Sequence, residues 1–221
     1  MLDNQRLLST ESTKLILKDR SIKMPKPPFN MLISGITNCG KTHYALDLIE
    51  NWARSFPDQA FDYIVIYCPT YLVNETYDRK FIYDDKDVIV VTDDNLDEIL
   101  EKNMEFFSSS ATLFLIDDCA NLHDSKMKES AICKLAFHGR HHNISTWIIT
   151  QKYNAIVKDF RDNIRMLVLF FDKDRDSMES ALKQNNIIPK EQINDVLNTL
   201  KNNRGSKLIM RLEHPFDYKI E

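Results

Sequence analysis

Glycine is almost missing from this chain. There are 4 in 221 residues, where average usage is about 7%. Such scarcity excludes collagen-like and flexible-linker sequences, and it makes the position of each glycine informative. No apolar run approaches the roughly 20 residues that cross a bilayer. The opening Met1-Leu-Asp-Asn-Gln-Arg also lacks a signal-peptide core, so no membrane span is expected. Cysteine is sparse and unpaired: Cys39, Cys68, Cys119 and Cys133 form no C-x-x-C. That argues against a disulfide framework and for reduced thiols inside a cell. Neither sign of charge dominates, with 29 Lys/Arg against 33 Asp/Glu, so no global basic field points to nucleic acid. Basic residues gather only locally, at Lys126, Lys128, Lys134 and Arg140, and again from Lys183 onward.

Two of the four glycines stand in Gly35-Ile-Thr-Asn-Cys-Gly40-Lys41-Thr42, the G-x-x-x-x-G-K-[ST] pattern of a phosphate-binding loop. A loop wrapped on phosphates needs positive φ, and no Cβ where backbone meets ligand. The context fits. Phe29–Ser34 is a short apolar run between Pro27-Pro28 and the loop, which predicts a buried strand. Tyr44, Ala45, Leu48, Ile49 and Trp52 then recur at helical spacing to about Arg54. Strand, loop and helix are thus in order, and the helix N-terminus offers N–H groups and a positive dipole end. The candidate phosphate-binding residues are Gly35, Ile36, Thr37, Asn38, Cys39, Gly40, Lys41, Thr42 and His43, with the Lys41 ammonium directed at the β/γ phosphates and Thr42 at Mg²⁺.

Further strands are predicted at Phe61–Cys68, Val88–Thr92, Thr112–Ile116, Ser145–Thr150, Met166–Phe171 and, closing the chain, Lys207–Leu212. Helices are predicted near 96–107, 125–139, 155–164, 176–185 and 189–203, the last opened by Pro189. Apolar strands alternating with helices mean an α/β domain with a mostly parallel central sheet and helices on both faces. Residues 1–27 read as a lead-in, 28–171 as the core, and 172–221 as helices and a strand that complete the domain.

Leu113-Phe-Leu-Ile-Asp117-Asp118 is an apolar strand ending in two carboxylates. At the carboxyl edge of a parallel sheet it lies beside the phosphate loop. Asp117 then holds Mg²⁺ and Asp118 orients and deprotonates the attacking water. Trp147-Ile-Ile-Thr150-Gln151 ends at the same edge in an amide that both donates and accepts, suited to sensing a γ-phosphate or aligning water. Cys133, His138, His141 and His142 lack the spacing of a zinc site and read as a helix face. Asn121–Lys128 is a candidate DNA-gripping loop through Lys126 and Lys128. No Asn-Lys-x-Asp motif is present, which disfavours a GTPase, and no arginine-rich lid suggests a small-molecule kinase.

In this order the GITNCGKT loop, LFLIDD, Gly139–Ser145 leading into WIITQ, and Phe160-Arg161-Asp162-Asn163-Ile164 resemble the RecA-like additional-strand P-loop NTPases. They resemble most the FtsK–HerA superfamily genome-packaging ATPases of poxviruses, other large DNA viruses and Polinton-virophage elements. The resemblance covers roughly residues 28–171. It implies ATP-driven translocation of double-stranded DNA into a capsid, with ATP and Mg²⁺ as cofactors. It also implies a homo-oligomeric ring, a pentamer or hexamer, with a capsid or portal-vertex protein as partner. The expected place of action is the host cytoplasm at the viral assembly site, and the virion. An arginine acting in trans is implied as well, with Arg140 and Arg161 as candidates. Other readings are a helicase- or recombinase-like ATPase, and an assembly subunit that binds nucleotide with little turnover.

Overall fold

Every apolar run read as a strand is one in the computed structural model, which describes residues 22–92, 111–117, 126–203 and 205–221 together with Met104, Phe106, Phe107, Ser109 and Ser110. The strands are β1 (Asn30–Ser34), β2 (Tyr63–Tyr67), β3 (Val88–Val91), β4 (Thr112–Ile116), β5 (Ile144–Thr150), β6 (Ile164–Phe170), β7 (Lys207–Arg211) and β8 (Asp217–Ile220). They form one sheet of 8 strands in the order β3-β2-β4-β5-β1-β6-β7-β8. From β3 to β6 all neighbours are parallel, while β7 and β8 add on antiparallel. The sheet is therefore mostly parallel, as expected, and β5 lies between the phosphate-loop strand β1 and the Asp117 strand β4.

Strands buried on both faces explain the unbroken apolar runs. Along β1 and β6, Met31, Ile33, Met166, Val168 and Phe170 pack on one face, and Leu32, Leu167 and Leu169 on the other. The first face is covered by α1 (Lys41–Ser55), which turns Ala45, Leu46, Ile49 and Trp52 inward. Trp52 ties the end of α1 to the sheet. Its ring lies 5.3 Å from that of Phe61 and 5.5 Å from that of Trp147, and its Nε1 donates to Gln59 O at 2.6 Å. The short helix α2 (Lys80–Asp84) packs Ile82 against the same layer. The opposite face is covered by α3 (Lys126–His138), α4 (Lys158–Asp162), α5 (Arg175–Asn185) and α6 (Ile193–Asn202).

Three expectations need correction. The chain does not close with the strand at Lys207–Leu212: β8 follows it, an edge strand on which Ile220 alone is buried, so no apolar run announces it. The helix near 155–164 is a 3-10 turn at Tyr153–Ala155, a break, and then α4; burying Ile156 and Phe160 replaces a continuous helix with anchored turns. The helix over 189–203 is a 3-10 turn at Lys190–Gln192 leading into α6. The lead-in before residue 22, most of the helix near 96–107, Asp118 and the 121–125 part of the candidate DNA loop lie outside the described residues. No helix among the described residues is long and apolar enough to cross a membrane.

Candidate nucleotide site

The carboxyl ends of β1, β4 and β5 meet at one edge of the sheet, where open α/β sheets bind ligands. A cleft of about 380 Å³ opens there, lined by Thr37, Asn38, Gly40, Lys41, Thr42, His43, Asn74, Thr76, Asp117, Ile149, Thr150 and Gln151. The motif residues of the loop, the carboxylate of β4 and the amide after β5 thus share one cavity. Gly35, Ile36 and Cys39 belong to the loop without lining the cleft.

The two motif glycines answer different demands. Gly40 caps α1 in the left-handed region, at φ 100° and ψ 13°, a conformation that costs other residues about 1–2 kcal/mol. A Cβ there would meet nothing nearer than Phe170 Cε1 at 3.8 Å. Gly35 needs space: a Cβ would fall 2.6 Å from Phe170 Cβ and 3.0 Å from Cys39 Sγ. Phe170, at the end of β6, is the atom-level reason for the first glycine. Gly35 N also donates to Thr150 O at 3.3 Å, holding the loop to β5.

Lys41 is buried, and its Nζ donates to Ile36 O at 2.7 Å. The loop's own carbonyl thus holds the ammonium that its motif directs at phosphate. Burial pushes the Cys39 thiol up from its ordinary value, opposed by the nearby Lys41 charge, so it stays a thiol rather than a thiolate. His43 is turned outward into a charged cluster: Arg79 Nη2 lies 2.9 Å from its Nδ1, and Asp47 Oδ2 lies 3.2 Å from its Nε2.

Thr42 Oγ1 donates to Asp117 Oδ2 at 2.8 Å. A hydroxyl has one proton and two lone pairs; giving the proton to Asp117 leaves Thr42 oxygen electrons for a cation. Paired hard oxygen donors beside a phosphate loop suit Mg²⁺, which takes one or two protein oxygens and keeps water. The residues present fit that ion, and Thr42 and Asp117 would be the ones to hold it.

Sequence reasoning missed the connection between β2 and β3. Asn74 and Thr76 from it line the cleft, and Asn74 Oδ1 accepts from Thr76 N at 3.1 Å. Tyr77 OH donates to Asp117 Oδ2 at 2.6 Å. Arg79 fastens the segment to α1 through Asp47 at 2.7 Å and Glu50 at 3.2 Å. No periodicity or motif marks these residues; only the sheet order brings them to the site.

The two candidate arginines stand apart from this cleft. Arg140 lies in the 3-10 turn Gly139–His142 that precedes β5, at the opposite sheet edge, and is exposed. Seven strand residues at about 3.3 Å each separate the two edges by roughly 20 Å. Arg161 is held within the chain: Nε donates to Ile156 O at 3.0 Å, Nη1 to Gln184 Oε1 at 2.7 Å, and the guanidinium lies 4.8 Å over the Tyr153 ring.

A glycine loop gripping a buried lysine, a threonine bonded to the strand-end aspartate, and an interposed strand ending in glutamine define a P-loop NTPase of the additional-strand kind. The model of one such family, the poxvirus A32 protein, matches residues 18–215. The chain belongs to the poxvirus A32 protein family. Among solved structures it is similar to the DNA-packaging ATPase B204 of Sulfolobus turreted icosahedral virus, with a TM-score of 0.66 at 16% identity, covering 89% of this chain and 98% of that one. The genome-packaging NTPase B204 of Sulfolobus turreted icosahedral virus 2, solved with ATP-gammaS, gives 0.65 at 16% identity over the same shares. The EssC ATPase domains of Geobacillus thermodenitrificans give 0.52 at 14% identity, covering 70% of this chain and 34% of that one. No curated protein sequence matches the chain.

Proposed function

We propose that this chain is an ATP-hydrolysing motor that drives double-stranded DNA into a preformed capsid, with each active site shared between two subunits of a ring. The observation that carries the reading is the Thr42–Asp117 contact of 2.8 Å in a cleft that also holds Lys41 and Gln151. Membership of the A32 family supports it, as does the shared fold with the B204 packaging enzymes.

In this reading the loop amides and Lys41 hold the β/γ phosphates at the N-terminus of α1. Thr42 and Asp117 would hold a magnesium ion, which would supply positive charge against the charge that develops on the phosphates. Asp118, next along the chain, takes the proton of the attacking water, and Gln151 aligns that water. Positive charge at the transferred phosphate comes from a neighbour, because Arg140 lies about 20 Å from its own cleft by strand length. Arg140 is the better candidate for that role, since the Arg161 guanidinium is already committed to Ile156, Gln184 and Tyr153. The ring, a pentamer or hexamer, would act on DNA at a capsid or portal-vertex protein, at the assembly site in the host cytoplasm and in the virion.

The deciding experiment measures ATP turnover against double-stranded DNA length and salt. Stimulation that grows with length and fades with salt is expected of a backbone-tracking motor. A flat response at every length and salt concentration refutes the motor reading.

A further inference from the structure

One wall of the nucleotide cleft comes from the connection between β2 and β3, through Asn74 and Thr76. Two 3-10 turns, Tyr71–Val73 and Glu75–Tyr77, shape this connection, and Asn74 is the joint between them. Backbone bonds hold the joint on both sides: Asn74 N donates to Tyr71 O at 3.3 Å, and Tyr77 N donates to Asn74 O at 3.0 Å. Tyr77 OH then reaches Asp117 Oδ2, and Arg79 ties the segment to α1 through Asp47 and Glu50. A segment fastened to both the β4 carboxylate and the phosphate-loop helix keeps its place against the cleft.

The Asn74 side chain is oriented by its own turn. Its Oδ1 accepts from Thr76 N at 3.1 Å. A backbone N–H can only donate, so the carboxamide atom that faces it is the oxygen and the amide cannot be flipped. The Nδ2 group, with two donors, stands on the other branch, and among the described residues it has no hydrogen-bond partner. Asn74 is half-buried and shares its cavity with Lys41, Thr42, Asp117 and Gln151. A held amide with its oxygen already used offers that cavity donors, which is what a phosphate oxygen needs.

We propose that the Asn74 amide is a substrate contact, donating to an oxygen of the terminal phosphate of ATP, so that this connection tells a triphosphate from a diphosphate. This rests on the reading that Lys41, Thr42 and Asp117 hold the β/γ phosphates. In the sheet order, β4 and β2 lie on one side of the loop strand β1, and β6 lies on the other. The terminal phosphate is then the ligand group nearest β2, and the sugar and base leave on the side away from Asn74. A hydrogen bond to a charged oxygen is of the stronger kind, and its loss weakens binding about ten- to a hundredfold.

The test uses the full chain and two substitutions. Asn74→Asp keeps the oxygen that Thr76 N needs and removes the donors, while Asn74→Ser keeps an oxygen at that position and adds no charge. Fluorescent ADP and a fluorescent non-hydrolysable ATP analogue are each titrated in magnesium chloride, with far-UV circular dichroism as the check on folding. The expected result is unchanged ADP affinity, with the analogue weakened about tenfold or more in both variants. Equal weakening of both nucleotides overturns the proposal, since a merely structural turn would disturb the whole cleft. A folded Asn74→Ser protein with unchanged analogue affinity also overturns it, even where Asn74→Asp binds poorly, because charge repulsion alone then accounts for the loss. Both of these results leave the phosphate-loop reading intact. If the unmodified chain binds neither nucleotide, that reading fails, and this proposal with it.

Discussion

Gly35→Ala and Gly40→Ala should damage the same loop in different ways, and the difference can be measured. At position 35 the added methyl would sit 2.6 Å from Phe170 Cβ and 3.4 Å from Phe170 Cα. Neither atom can swing aside, because both are set by the β6 backbone, so loop and strand must part by about 1 Å to reach ordinary contact. Forced overpacking of this kind costs roughly 1–3 kcal/mol. For a domain of this size, 2 kcal/mol lowers Tm by about 4–8 °C. At position 40 there is room, and the cost is the left-handed backbone at φ 100°, about 1–2 kcal/mol for alanine. Asparagine tolerates that region better, as Asn38 does at φ 60° two residues earlier. Gly40→Asn should therefore recover much of the stability lost in Gly40→Ala, whereas Gly35→Asn should be no better than Gly35→Ala. Urea unfolding of the four variants, followed by far-UV circular dichroism, is the assay. Equal recovery by asparagine at both positions, or a Gly35→Ala protein as stable as the parent, would refute the reasoning from Phe170.

Lys41→Ala should abolish ATP turnover with the circular dichroism spectrum unchanged; retained turnover removes the phosphate-loop assignment. Arg161→Ala should cost about 0.5–1.5 kcal/mol by removing its bonds to Ile156 O and Gln184 and its packing on the Tyr153 ring, while exposed Arg140→Ala should stay within about 0.5 kcal/mol; urea midpoints decide. Mixing Arg140→Ala with Asp118→Ala subunits should restore part of the lost turnover if sites are shared, and no rescue at any ratio counts against sharing. Burial raises the Tyr77 and Tyr44 hydroxyls above their ordinary range, so the unfolded chain loses these protons first. Stability is then full below about pH 10 and falls as pH rises beyond it; the fall should be shallower in Tyr77→Phe, and an identical slope speaks against a neutral buried Tyr77.

The strands of the sheet were legible because a parallel sheet covered on both faces leaves each strand apolar throughout. β8 was not, since an edge strand with one buried residue carries no such mark. Helix length misled at 155–164, where two inward anchors, Ile156 and Phe160, punctuate the chain more than helical spacing does. At the site, Lys41, Thr42, Asp117 and Gln151 were readable from local motifs, and the structure brings these four into one cleft. Tyr77 was invisible because its meaning comes from Asp117, 40 residues away, a pairing created only when β2 and β4 lie side by side. The same holds for Arg161, whose commitment to Gln184 across 23 residues no sequence pattern announces. The backbone freedom that the motif asks of Gly35 is there, at φ 158°, but the room left by Phe170 is a second constraint that no sequence pattern announces.

The strand between β1 and β4 has Gln151 just past one end and Arg140 just before the other, and all seven of its residues are buried. Such a close-packed strand has little freedom to bend or stretch and shifts as one piece. Were Arg140 to serve a neighbour's phosphate, β5 would act as a push-rod joining two combustion chambers: what Gln151 senses at home resets the charge offered next door. Gln151→Ala in one subunit should then slow its neighbour's turnover in mixed rings, and the firing order around a ring would be written into a single strand.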